Sequence, residues 1–325
     1  MRPAEVIQRF ALAAPPGPEE LVPPPRFQRL SLASFEIDPE VPGQAEAVAR
    51  IRDFVWLGRQ WWRRWLARDL PGLYLDGPFG VGKTHLLAAC FCEADGERRY
   101  LSFSDALSLL TARGLDDTVE LLAADLLCLD EFDLDDPAQV RLADQLLERL
   151  IERGTRIIAT SNAVVGDWGS GTLPSEQFRA QLTRIGAAFA VVHVPGRDRR
   201  RLLVAEGEDP PQWAASLPEA PASWLACSQA QLDELLQQLP LIALRRLAAA
   251  LPGLQLSGVA PFHDQLAALR FVHLVDRLYD WRVPLRAVAR CRLAELFPSP
   301  PLRSAFRRKH RRCQSRLSEL CSFYG

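Results

Sequence analysis

The stretch GPFGVGKT, residues 77–84, constrains this chain more than any other. It fits G-x-x-x-x-G-K-[ST], follows the apolar run GLYLD and opens the helix-forming KTHLLAACF. Glycines let the backbone bend so that successive N–H groups face one point, and the following helix aims its positive dipole end there. Such a concavity suits phosphate oxygens. The chain holds 37 arginines but only two lysines, Lys83 and Lys309. A lysine kept in this loop is therefore informative. A compact ammonium on a flexible stem can curl over the β- and γ-phosphates, whereas a broad planar guanidinium fits that slot less well. The expected nucleotide-binding residues are Gly77, Pro78, Phe79, Gly80, Val81, Gly82, Lys83, Thr84 and His85, with the Thr84 hydroxyl offered to Mg2+.

A loop of this kind joins a parallel strand to a helix, and the rest of the first 200 residues repeats that alternation. RYLSF (99–103), LLCLDE (126–131), RIIATSN (156–162) and AFAVVHVPG (188–196) read as further strands, separated by helical stretches. LLCLDE is uninterrupted in its apolar part, as expected of a strand covered on both faces. The reading is an α/β chain: a P-loop NTPase (AAA+) parallel sheet with flanking helices, plus a C-terminal α/β extension.

Two strand ends move the expectation from nucleotide binding toward hydrolysis. Asp130 and Glu131 close the third strand, 47 residues after Lys83. Asp130 suits the acid that holds hydrated Mg2+, and Glu131 the base that polarises an attacking water. Asn162 closes the fourth strand and is placed to position that water or touch the γ-phosphate. An acidic pair or a Ser-Asn at a strand end is ordinary turn chemistry when alone; in register behind a phosphate loop it is the pattern of an AAA+ ATPase. ATP and Mg2+ are the implied cofactors.

The boundaries read as a Pro-rich arm (1–28), an ATPase core (29–204), a linker or insertion (205–227) and a C-terminal α/β and helical region (228–325). Net charge is near zero, so global charge does not point to nucleic acid or membrane. The seven cysteines show no CxxC spacing and read as buried free thiols in a reducing compartment. No 18-residue apolar run and no signal peptide is evident, so a cytoplasmic protein without a transmembrane segment is expected. RQWWRRW (59–65) and the basic run from Arg303 to Arg316 are the candidate partner or nucleic-acid surfaces, each weighed against a packed or solvated helix face.

Nearly the whole chain, from about Arg26 to Ser322, resembles the ZapE family of cell-division AAA+ ATPases, an AFG-like group with mitochondrial relatives. The resemblance is carried by YLDGPFGVGKTHLL (74–87), LLCLDEFDLDDP (126–137), RGTRIIATSN (153–162), ALRFVHLVDRLYDWRVPL (268–285) and SRLSEL (315–320). It implies ATP hydrolysis, a ring-shaped self-oligomer such as a hexamer, remodelling of a protein partner, association with the FtsZ division ring and a place at midcell. It also implies an arginine acting on the neighbouring subunit's site. Some members carry that arginine just before the phenylalanine matching Phe178, where this chain has Gln177. Arg184 is then the first candidate and Arg179 the second; Arg200 is a candidate γ-phosphate sensor or interface residue, and Arg270 or Arg316 from the second half a further phosphate-sensing arginine. The alternative reading is a DNA-replication initiator or helicase-loader type of AAA+ ATPase, whose phosphate loop often also reads GKTHL. No helix-turn-helix is evident, so nucleic acid is not the expected partner.

Overall fold

The computed structural model describes residues 3–10, 16–59, 72–78, 80–134, 137–161, 176–196, 209–300, 302 and 306–323. They fall into two compact units, one of residues 16–200 and one that joins residues 1–15 to 201–325. Helix α1 (Pro3–Phe10) belongs to the second of these.

The unit of residues 16–200 is built on five strands: β1 (Gly72–Asp76), β2 (Arg98–Ser102), β3 (Leu126–Asp130), β4 (Arg156–Thr160) and β5 (Phe189–His193). They pair in the order β2-β3-β4-β1-β5, all parallel, giving the expected P-loop NTPase sheet. Parallel strands need crossovers. Helix α2 (Gln44–Arg59) precedes β1, and the crossovers hold α3 (Lys83–Glu93), α4 (Phe103–Arg113), α5 (Leu115–Leu122), α6 (Pro137–Glu152) and α7 (Glu176–Ala187). Leu126, Leu127, Cys128 and Leu129 of β3 are all buried, as a doubly covered strand requires. The helix ends follow local rules. Ser102 caps α4 in a reciprocal pair with Asp105, and Pro137 opens α6. Arg98 closes α3 by donating to the carbonyls of Phe91 at 2.9 Å and Ala94 at 2.8 Å. Because β4 lies between β1 and β3, the ends of β1, β4 and β3 sit side by side at the carboxyl edge of the sheet, where open α/β sheets place their ligands.

The second unit carries a smaller parallel sheet of β6 (Trp213–Ala214), β7 (Leu225–Ser228), β8 (Leu254–Val259) and β9 (Leu285–Ala289), in the order β6-β9-β8-β7. Its helices are α8 (Gln229–Gln238), α9 (Ala243–Ala250), α10 (Gln265–Asp280) and α11 (Arg307–Phe323), besides α1. Here the units differ from the sequence boundaries. The 205–227 stretch contributes β6 and most of β7, and Trp213 is buried. The 1–28 stretch is divided: Val6 and Phe10 join the core of the second unit, while Leu21 is buried in the first and its carbonyl accepts from Tyr100 N at 2.7 Å. The reason is the same in both places, a few apolar side chains among prolines that gain more from a core than from water.

The basic run in α11 is divided: Arg307 and Arg311 are exposed and Lys309 is half-buried, whereas its later arginines turn inward. Arg312 and Arg316 are buried and both pair with the buried Asp276 of α10, Arg312 at 2.6 Å. RQWWRRW lies, but for Arg59, outside the described residues. All seven cysteines are free, and burial pushes the thiols of Cys227 and Cys321 up to about 12. Among the described residues, no helix is long and apolar enough to cross a membrane.

Candidate nucleotide site

The loop between β1 and α3 has the shape its sequence requires. Gly77 has φ +138°, and a Cβ there would stand 2.3 Å from the carbonyl oxygen of Val194. Gly82, the N-cap of α3, has φ +99°, and its Cβ would meet the Phe35 ring at 2.7 Å. Neither position admits another residue. Lys83 is buried to 7% exposure, and its ammonium donates to the carbonyls of Gly77 and Pro78, both at 2.7 Å. Asp76, the residue before the loop, is buried opposite His193 of β5, and its Oδ1 accepts from His193 Nδ1 at 2.8 Å. Val81 is fully buried. The His85 ring meets Ser34 Oγ at 3.1 Å and stands nearly perpendicular to the Phe35 ring, centroids 5.7 Å apart.

The acid at the end of β3 faces this loop. Thr84 Oγ1 donates to Asp130 Oδ1 at 3.3 Å, and Thr160 Oγ1 of β4 donates to the same oxygen at 2.5 Å. Tyr100 of β2 donates its hydroxyl to Asp130 Oδ2 at 3.0 Å. Burial, then the adjacent charge of Glu131, raise the Asp130 carboxyl above the usual carboxylate range, while the Thr160, Tyr100 and Thr84 hydroxyls work against that rise. A clustered pair of carboxylates beside a threonine hydroxyl is an all-oxygen donor set, and a hard divalent cation would relieve its surplus negative charge.

Glu131 takes a left-handed backbone, φ 55°, rare for a residue with a Cβ. Three bonds hold it there. Glu131 N donates to Thr160 Oγ1 at 3.2 Å and to Asp130 Oδ1 at 3.1 Å, and Phe132 N donates to Thr160 O at 2.7 Å. Next to Thr160, Ser161 Oγ donates to Asp133 Oδ1 at 2.6 Å, tying the end of β4 to the loop after β3. Strain retained at a strand end and over-determined by its neighbours is characteristic of sites that must aim one side chain.

The structure thus brings together Gly77, Pro78, Gly80, Val81, Gly82, Lys83, Thr84, Asp130 and Glu131. Phe79, Asn162 and Arg200 lie outside the described residues. Arg184 stands apart from this cluster, exposed in the last turn of α7, where it grips both carboxylate oxygens of the buried Asp144. Arg179 is exposed on the same helix. Arg270 donates to the carbonyls of Leu236 and Leu239 at the end of α8, and Arg316 belongs to the Asp276 pair. Both have structural duties within the second unit. Sequence reasoning missed Tyr100, Thr160 and Phe35. Thr160 lay in a quoted strand, and strand register alone would have put Ser102 beside Asp130 and Tyr100 two residues before it.

Comparison with known proteins gives the family. The model of the family described as AFG1-like ATPase matches residues 20–240 and 241–324. The cell division protein ZapE of Escherichia coli (strain K12) is 25% identical over 341 aligned residues, covering 87% of this chain and 86% of that protein. Among solved structures, DnaI is 22% identical with a TM-score of 0.44, over 56% of this chain and 99% of its own. The DnaC helicase loader is 18% identical with a TM-score of 0.40, over 52% of this chain and 98% of its own.

Proposed function

The chain belongs to the AFG1-like ATPase family, and on that premise we propose that it hydrolyses ATP with Mg2+ to drive remodelling of a protein partner. One observation carries the reading: Lys83 over the loop, the Thr84 hydroxyl and the Asp130 carboxylate converge, with the Thr84–Asp130 contact at 3.3 Å. The loop amides and Lys83 bind the phosphates. Thr84 and Asp130 would hold Mg2+, which neutralises charge on the phosphates when bound. Glu131 orients and polarises water, and Asn162 assists it. The partner is proposed from the resemblance to ZapE: the division ring protein FtsZ, met by a ring-shaped oligomer at midcell. The burial of Arg312 and Arg316 removes those two arginines, though not the exposed Arg307 and Arg311, from any DNA-binding face on α11.

The test is ATP turnover together with mass by light scattering, with and without ATP, for wild type, Lys83→Ala and Glu131→Gln. Lys83→Ala should lose nucleotide binding. Glu131→Gln should bind ATP, stop turning over and accumulate as an oligomer that captures FtsZ. A wild-type protein that binds ATP yet neither hydrolyses it nor assembles, with FtsZ present, would sink the remodelling reading. DNA binding with a steep salt dependence would replace FtsZ by nucleic acid.

A further inference from the structure

Resting on the ATPase reading, we infer that Tyr100 is a positioning residue of the nucleotide site, its hydroxyl fixing the orientation in which Asp130 meets Mg2+. A buried tyrosine on a strand is ordinarily core, and the Tyr100 ring does pack edge-on against Phe91, centroids 6.2 Å apart. Phenylalanine would serve that contact equally well. What distinguishes tyrosine is a hydroxyl that must find a partner when buried. It finds Asp130 Oδ2 at 3.0 Å.

Sheet register explains the reach. Ser102 pairs with Asp130 and Tyr100 with Cys128, so Tyr100 lies two residues back along the neighbouring strand, on the same pleat face as Ser102. The strand is pinned there, since Tyr100 N donates to Leu21 O at 2.7 Å. A carboxylate turns easily about its last torsion, which has broad, two-fold wells. Donors on opposite oxygens remove that freedom: Thr160 on Oδ1 and Tyr100 on Oδ2. Thr160 also accepts from Glu131 N, so one hydroxyl links the orientations of the two acids. Partners of this outer kind set the aim of a metal's ligands, and their loss typically costs about 10- to 100-fold in metal affinity.

The test measures ATP affinity by isothermal titration calorimetry in excess Mg2+ and in EDTA, for wild type, Tyr100→Phe, Thr160→Val and Thr160→Ser. Tyr100→Phe and Thr160→Val should match wild type in EDTA and lose about 10-fold or more of the gain that Mg2+ brings. Thr160→Ser, which keeps the hydroxyl, should retain the gain. An unchanged Mg2+ gain in Tyr100→Phe overturns the inference. So does an equal loss in Mg2+ and EDTA, which marks a packing role. Wild type that binds ATP with no Mg2+ gain overturns it while leaving nucleotide binding intact; wild type that binds no ATP sinks the ATPase reading itself.

Discussion

Lys83 Nζ donates to the carbonyl oxygen of Gly77 at 2.7 Å, so the lysine folds back over the loop that begins at that glycine. A second donor goes to Pro78 O, also at 2.7 Å, so two adjacent carbonyls of the loop hold the ammonium in place. This geometry answers why an arginine-rich chain keeps a lysine here. A guanidinium carries its donors in a rigid planar fork and cannot place two of them on adjacent carbonyls of a tight loop while turning a third to a phosphate. Lys83→Arg should therefore behave as a loss of function despite conserving charge. The expected cost is about 1.5–3 kcal/mol of charge-assisted hydrogen bonding, roughly 10- to 100-fold in ATP affinity by calorimetry. An arginine variant with wild-type affinity would refute the fit argument.

The buried trio of Asp276, Arg312 and Arg316 makes a stability prediction. Removing the carboxylate takes away the buried negative charge that the two buried guanidiniums share. Asp276→Asn should then cost about 3–5 kcal/mol in denaturant unfolding, whereas replacing all three by apolar residues of similar volume should cost far less. Titration gives a second handle. Burial alone would raise the Asp276 carboxyl, but the guanidiniums of Arg312 and Arg316 outweigh it and hold it at about 2. A folded value below the unfolded one means that the unfolded chain binds more protons in between. The contribution is present above about pH 4 and is lost as pH falls toward about 2, on the order of 2 kcal/mol. Acid unfolding of the wild type should show that slope, and the triple apolar variant should lack it.

Helix α1 holds to the second unit through Val6 and Phe10, both buried in its core. Phe10→Ala removes a large part of that contact and should destabilise the unit by about 3–5 kcal/mol. The effect should be local. Hydrogen exchange in the full chain should speed up in β7, β8 and β9 and leave β1 and β3 as protected as before. Equal loss of protection in both sheets would contradict the division into units.

These features differ in how far they can be read from sequence. The strands of the first sheet are short apolar runs ending in turn residues, and GPFGVGKT and DE are local signals, so sheet and loop were legible. β6 is two residues long and carries no period. α1 packs against residues more than 200 positions away, and no local rule says whether its Val6 and Phe10 find a core. The basic run in α11 misleads because composition suggests water, while its partner Asp276 lies on another helix 36 residues earlier. Tyr100 is of an intermediate kind, since its role follows from strand register once the two strands are known to be neighbours.

Arg184 already has a local duty, gripping the buried Asp144 with two of its nitrogens and so clasping α7 to α6. That grip also holds the guanidinium in one orientation on the surface, as an arginine serving a neighbouring subunit would require. Mixing variants separates the two roles. If Arg184 acts in trans, Arg184→Ala should lose about 1,000-fold or more in ATP turnover while still binding ATP. Lys83→Ala is inactive for its own reason. Mixed in equal amounts, the two should regain about a quarter of wild-type turnover, because random head-to-tail pairing leaves that share of interfaces with an intact loop facing an intact arginine. If Arg184 is a clasp alone, Arg184→Ala should keep its turnover and lower Tm, Asp144→Ala should do the same, and no mixture should change the rate per active subunit.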